Sequence, residues 1–331
     1  AAVDALHTHG PLAGFDDQVV ALVEAKLARE PIEDLRIDFE DGYGLRPDDE
    51  EDAAARAAAI ALRRSAAPAF VGIRMKSLEA PTRRRGLRTL DLFLDELGAV
   101  PPGFRVTLPK VTSVRQVEAM AEVCAAGDLR FEIQIETPQA VLGADGAALV
   151  ARMLHAAGGR CAGLHYGTYD YSASLGIAAA YQSMEHPAAD HAKAVMQLAA
   201  AGTGVPVSDG STNVLPVGDT DAVQAAWALH LRLVRRSLER GFYQGWDLHP
   251  AQLPTRFAAT FGFYRDGSAA AVQRLRAYLQ RQSGGVLDEP ATARALAGYL
   301  QRGMDAGALA PDDIAAAVGI APAELLSLAG R

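Results

Sequence analysis

Apolar residues fall along the chain in short, regularly recurring runs, and most of these runs end in an ionisable group. Phe131 to Ile135 carries apolar residues at alternate positions and ends in Glu136. Thr137 and Pro138 follow, with proline where a helix start tolerates its missing N–H. The same pattern recurs elsewhere. Leu35 to Ile37 runs into Asp38-Phe39-Glu40-Asp41, Phe70 to Ile73 into Arg74, and Phe104 to Leu108 into Pro109-Lys110. Ala162 to Leu164 runs into Tyr166-Gly167-Thr168-Tyr169-Asp170, Val205 to Val207 into Ser208-Asp209, and Gly245 to Leu248 into His249-Pro250. Between the runs, apolar spacing predicts helices over 90–97, 113–124, 147–155, 193–201, 219–241 and 252–263. Strands alternating with helices predict a parallel sheet, and ionisable groups gathered at strand carboxyl ends are what an α/β barrel places there.

These elements predict an eight-fold β/α barrel, a TIM (β/α)8 fold, over residues 1–265. Its first strand is not placed: residues 1–34 show one helix, over 16–29, preceded by a Gly/Pro-containing segment with His7 and His9. The barrel is expected to close near Tyr264. A helical extension over 266–331 follows, with helices at 269–282 and 291–303, a break at 284–290 and a short hairpin at 312–328.

Composition narrows the function. The chain has 331 residues, half of them hydrophobic, enough for one large barrel and an accessory piece. A net charge of −8 argues against nucleic acid, which needs a basic face. Cys124 and Cys161 form no Cys-x-x-Cys pair and read as buried core residues. No run approaches the ~20 apolar residues of a membrane span, and no signal peptide is recognised, so a soluble cytoplasmic protein is expected.

Individual stretches then suggest chemistry. Asp38, Glu40 and Asp41 repel one another unless a positive group is near, which suits either an acidic surface turn or support for a cation site. Arg74 can hold a carboxylate or enolate in its planar fork, or pair with one of those acids. Arg83, Arg84, Arg85 and Arg88 read as a solvated face or a phosphate-binding patch. Asp48 to Glu51 read as a helix start, Asp48 capping and Glu51 closing the box. The turn from His165 to Asp170 offers a carboxylate and backbone N–H groups, with His165 itself a core residue. Gly202-Thr203-Gly204 lacks the third glycine of a dinucleotide fingerprint.

The stretches IDFED, VGIRMK, LPKV, IQIETPQAV, YGTYDYSASLG, VPVSDG and DLHPAQ, in this order over roughly residues 35–300, resemble the citrate lyase beta-subunit and malyl-coenzyme-A lyase family. These are barrels of the phosphoenolpyruvate/pyruvate type, related to the hydroxy-keto-acid aldolases. The resemblance implies Glu136 and Asp170 as ligands of Mg²⁺, and Arg74 as the residue that grips a 2-oxo acid and steadies enolate charge. It implies Gly167, Thr168 and Tyr169 as the loop that holds the substrate carboxylate. Asp38, Glu40, Asp41 and Lys110 match the acidic and basic residues around them. Asp288 is implied as a general acid supplied to a neighbouring subunit's site, hence a homo-oligomer, trimer or hexamer. Tyr43, Tyr169, Tyr171 and the Arg83–Arg88 run depart from the family pattern, which points to a different substrate.

The activity so implied is a Mg²⁺-dependent carbon–carbon lyase, of retro-Claisen or aldol type, acting on a hydroxyacyl-coenzyme-A or related 2-oxo-acid-derived substrate. A coenzyme-A-independent aldolase of free 2-oxo acids is the alternative, and a non-catalytic metabolite-binding barrel a third. Two carboxylates plus waters suit Mg²⁺, and a divalent cation with an arginine suits an enolate.

Overall fold

The computed structural model describes residues 1–280 and 289–330. The chain divides into two compact units: one of Ile32–Asn213 with Phe242–Trp246, the other of Ala1–Pro31, Val214–Gly241 and Asp247–Arg331. Among the described residues no helix is long and apolar enough to cross a membrane.

The first unit is built on six parallel strands in chain order: β1 (Asp34–Asp38), β2 (Phe70–Arg74), β3 (Phe104–Leu108), β4 (Phe131–Ile135), β5 (Cys161–Tyr166) and β6 (Val207–Ser208). Helices Asp48–Arg64, Arg83–Leu97, Val114–Ala126, Leu149–Ala156 and Pro187–Ala200 connect them. One face of β2, β3 and β4 supplies Val71, Ile73, Val106, Leu108, Phe131, Ile133 and Ile135 to a core shared with those helices.

The other face is polar and just as dry. Neighbouring strands lie about 4.8 Å apart, so in a flat sheet β1 and β4 would stand roughly 14 Å from each other. Yet the Arg36 guanidinium of β1 donates to Glu132 of β4 at 2.6 Å and 3.1 Å. The sheet is therefore strongly curled, and its polar face turns in on itself. Glu132 also lies 3.0 Å from His165 Nε2 of β5, and the Trp246 indole donates to His165 Nδ1 at 2.8 Å. Burial opposes the charge on Glu132, but His165 and Arg36 outweigh it and hold the carboxyl well below its usual range.

The sheet has six strands among the described residues, two fewer than the sequence suggests. Gly245–Leu248 is not a strand. Residues 242–246 instead lie against the end of β6, where Gln244 O accepts from the Asp209 amide and the Trp246 amide donates to Gly210 O. Pro250, which has no N–H, opens a 3-10 turn that His249 caps. β6 itself shrinks to two residues, because Pro206 interrupts the ladder donors.

The second unit is helical. The helices expected over 252–263 and 269–282 are one, Leu253–Leu279, because Phe257, Phe261, Tyr264, Ala271 and Leu275 continue one buried face through the join. Phe257, Phe261 and Tyr264 pack with Val19, Val23, Leu27 and Trp227. In this unit Arg256 forms a bidentate pair with Asp247 at 3.0 Å and 2.9 Å, and His230 lies 2.9 Å from the same carboxylate and 2.7 Å from the Thr255 hydroxyl. The start of the helix Asp48–Arg64 also differs from expectation: its cap is Pro47, without a side-chain bond. Glu51 closes no capping box. It turns inward and accepts from Lys76 Nζ at 2.7 Å and from the Thr89 hydroxyl at 2.6 Å.

Candidate active site

The carboxyl ends of the strands bring together most of the residues singled out in the sequence. Register explains the first pair: Asp38 of β1 and Arg74 of β2 sit side by side, and Arg74 donates to both Asp38 oxygens, Nε at 2.7 Å and Nη2 at 2.5 Å. Burial pushes Asp38 up, yet the arginine and two backbone N–H groups, from Glu40 and Gly42, hold it below its usual range. Arg74 Nη1 is less committed, 3.4 Å from Gln134 Oε1 and 3.8 Å from Glu40. The guanidinium also lies over the Trp246 ring, 5.7 Å from its centre.

Lys110 joins the remaining acids. Its ammonium is 2.7 Å from Glu40, 2.6 Å from Asp41 and 3.3 Å from Asp170, and its amide donates to Glu136 Oε1 at 2.6 Å. The residue has a φ of 50°, a left-handed conformation that a lysine adopts only when its surroundings impose it. The second Glu136 oxygen accepts from Gln134 Nε2 at 2.6 Å.

Glu136 is the deepest of the carboxylates around Lys110, 1% exposed. Burial pushes its pKa up to about 8; the Lys110 charge opposes this, and the negative charges of Asp170 and Glu40 add to it. Burial likewise raises Glu40 against the pull of Lys110, while Lys110 overrides burial at Asp41 and lowers it.

The turn after β5 fits closely around this carboxylate. A Cβ on Gly167 would lie 2.4 Å from Glu136 Cβ and 2.6 Å from its Oε2, so only glycine lets the two strand ends approach. The Gly167 amide donates to Ile135 O at 2.9 Å, continuing the β4–β5 ladder. Thr168 donates its hydroxyl to Ser211 O at 3.2 Å and Tyr169 accepts from the Asn213 amide at 2.6 Å, so both side chains hold the segment after β6. Asp288 lies outside the described residues.

Three residues of this constellation, Gln134, Lys76 and Trp246, receive no role from the sequence reading. Gln134 and Lys76 could have been found by the period-2 rule, because they share a face with Glu136 and Arg74 two positions away. Lys76 fastens the acidic turn at both ends, donating to Phe39 O at 2.8 Å and Gly44 O at 3.4 Å, with buried Glu51 as its counter-charge. Trp246 and the strain at Lys110 have no local signature. The Arg83–Arg88 run begins the helix Arg83–Leu97. Arg85 and Arg88 both pair with Asp52, whose pKa they hold down at about 2, while Arg83 and Arg84 are exposed.

Chemically, the site offers hard oxygen donors beside a partly committed guanidinium. Among the described residues no group of three or more His, Cys, Asp or Glu side chains is arranged to hold a metal. Glu136 and Asp170 provide two, the number Mg²⁺ usually takes from protein before water and substrate complete its shell. A carboxyl whose ionisation is opposed first by burial, and then by the charges of Asp170 and Glu40, is also one that a divalent cation would stabilise, so the donor pair fits that ion.

The fold is shared with known structures. RipC from Yersinia pestis aligns over 70% of this chain and 90% of its own, with 25% identity and a TM-score of 0.52. Two structures of malate synthase from Haloferax volcanii also align with TM-scores of 0.52. The lead(II) complex covers 75% of this chain and 70% of its own at 21% identity, and the pyruvate/acetyl-CoA ternary complex 89% of each at 16%. No curated protein matches. A family model described as a domain of unknown function, DUF6986, matches residues 3–331, and the chain therefore belongs to the DUF6986 family.

Proposed function

We propose that the chain is a Mg²⁺-dependent enzyme that breaks or forms a carbon–carbon bond beside a carbonyl, acting on a hydroxyacyl-coenzyme-A or related 2-oxo-acid-derived substrate. The observation that carries this reading is the convergence of Glu136, Asp170 and Arg74 at the carboxyl end of one curled parallel sheet. When bound between Glu136 and Asp170, the cation would supply the positive charge that holds a 2-oxo acid and stabilises an enolate.

The residues divide the remaining work. Asp38 fixes the Arg74 fork through two hydrogen bonds, which leaves the Nη1 edge to receive an anionic substrate oxygen. The Trp246 ring covers one guanidinium face and keeps that edge in place. Lys76 anchors the turn that presents Glu40 and Asp41. Asp288 is the proposed proton donor, supplied across an interface in a homo-oligomer.

Few cations are left to hold coenzyme A. Arg85 and Arg88 are engaged by Asp52, which leaves Arg83 and Arg84 for a nucleotide phosphate. This favours, as a second reading, an aldolase of free 2-oxo acids. The malate synthase structure with pyruvate and acetyl-CoA suggests both as ligands to try.

Calorimetric titration with pyruvate, oxaloacetate and glyoxylate, with and without Mg²⁺, tests the proposal. The expected result is metal-dependent binding lost in Glu136→Gln and Asp170→Asn. Binding indifferent to metal and to both substitutions would overturn it. Acetyl-CoA binding that disappears in an Arg83→Ala, Arg84→Ala double variant would decide for the first reading over the second.

A further inference from the structure

We propose that Lys110 is a built-in counter-ion that a divalent metal must dislodge from Asp170, so that metal entry to the site is governed by this lysine. The inference rests on the metal reading above and deepens it.

One residue contacts every carboxylate of the cluster except Asp38, which Arg74 holds. Its amide serves Glu136, at 2.6 Å, and its ammonium serves Glu40, Asp41 and Asp170, at 2.7, 2.6 and 3.3 Å. The left-handed backbone at Lys110, φ 50°, is a conformation few L residues hold unless the fold imposes it. The other nearby cations are committed elsewhere. Arg74 is locked on Asp38 and reaches Glu40 only at 3.8 Å, and Lys76 is spent on Glu51 and two carbonyls.

The ammonium and a metal would compete for the same oxygen. Mg²⁺ binds carboxylate oxygen at about 2.1 Å, and the Asp170 oxygen nearest Lys110 is the one 3.3 Å from its ammonium. Two cations on one oxygen repel. The Asp170 contact is the longest of the three ammonium contacts and the one to yield. Glu40 and Asp41 retain the lysine, held by the turn that Lys76 fastens. Lys110 thus limits repulsion among the acids before metal arrives, and weakens metal binding by its charge.

Calorimetric titration of Mg²⁺ and Mn²⁺ into the full chain tests this, using wild type, Lys110→Gln and Lys110→Arg. Gln keeps a polar side chain one atom shorter and removes the charge, so affinity is expected to rise about tenfold; Arg keeps the charge and is expected to keep wild-type affinity. Wild-type binding with equal or weaker binding in Lys110→Gln would overturn the counter-ion role and leave the metal reading intact. No binding by any of the three would overturn both. Should circular dichroism show Lys110→Gln unfolded, amine-reactive labelling of wild type with mass-spectrometric readout decides. Labelling at Lys110 is expected to rise severalfold with Mn²⁺, because the lysine loses a carboxylate and gains a neighbouring dication. Unchanged or reduced labelling would overturn the proposal.

Discussion

Replacing Glu136 with Gln is expected to stabilise the metal-free protein, and the structure sets the size of the gain. The native carboxyl is buried beside Asp170 and Glu40, and its pKa lies near 8 instead of the usual carboxylate value. A folded-state pKa above the unfolded one means stability is fully present below about pH 4.5 and is lost as pH rises towards 8. At pH 7 the loss works out at about 3 kcal/mol, from 1.36 kcal/mol for each pH unit between the unfolded pKa and pH 7. Gln carries no charge in either state and escapes this loss. It introduces one conflict: Gln134 now donates to Glu136 at 2.6 Å and would have to turn its amide, at a cost of about 1 kcal/mol. The net gain is therefore about 2 kcal/mol at pH 7, and it should vanish near pH 5. Urea denaturation at several pH values measures it directly. Saturating Mg²⁺ should reverse the order, adding about 2.7 kcal/mol to wild type at a hundred times its dissociation constant and nothing to the variant. A variant less stable than wild type at pH 7, or a difference that stays flat from pH 5 to 8, would refute the reasoning.

Other consequences follow from the same structure. Arg74→Lys loses the two-point hold on Asp38, and kcat/KM should fall by about 100-fold with the fold retained, because an ammonium cannot reproduce the planar fork; an unchanged value would exclude Arg74 from substrate contact. Lys76→Met strands buried Glu51, and denaturation should show a loss of about 3–5 kcal/mol, much of it recovered in Lys76→Met with Glu51→Leu. His230, beside Asp247, Arg256 and Thr255, is lowered by burial more than Asp247 raises it. The unfolded chain then takes up the proton first as pH falls, so stability is present above about pH 6.5 and declines below it. His230→Gln should flatten the stability curve between pH 7 and 5, and an unaltered slope would place that dependence elsewhere.

Much of the candidate site could be read from the chain because the strand-to-helix pattern is local. A strand alternates its faces every two residues, so Glu136, Arg74 and Asp38 could be located at strand ends without knowing what they face. The same rule would have found Gln134 and Lys76. Extension of the Leu253–Leu279 helix was also local, since its buried face continues across the expected break.

What the sequence could not contain was curvature. Alternation in FEIQIE reads as a strand with one wet face, yet Glu132 and Gln134 are buried. Their partners come from strands made adjacent only by the curl of the sheet: Arg36 is 96 residues from Glu132, and Lys110 is 60 from Asp170. The number of strands was equally non-local, because a run becomes a strand only when a neighbour supplies its ladder. Gly245–Leu248 has the apolar residues but only its first part reaches the end of β6, through the Trp246 amide and Gly210 O, while Pro250 removes a donor just beyond it and Pro206 one beside β6. Local periodicity thus fixed which residues stand at strand ends, while their pairing and charge were decided by contacts between residues far apart in sequence, and only folding makes those contacts.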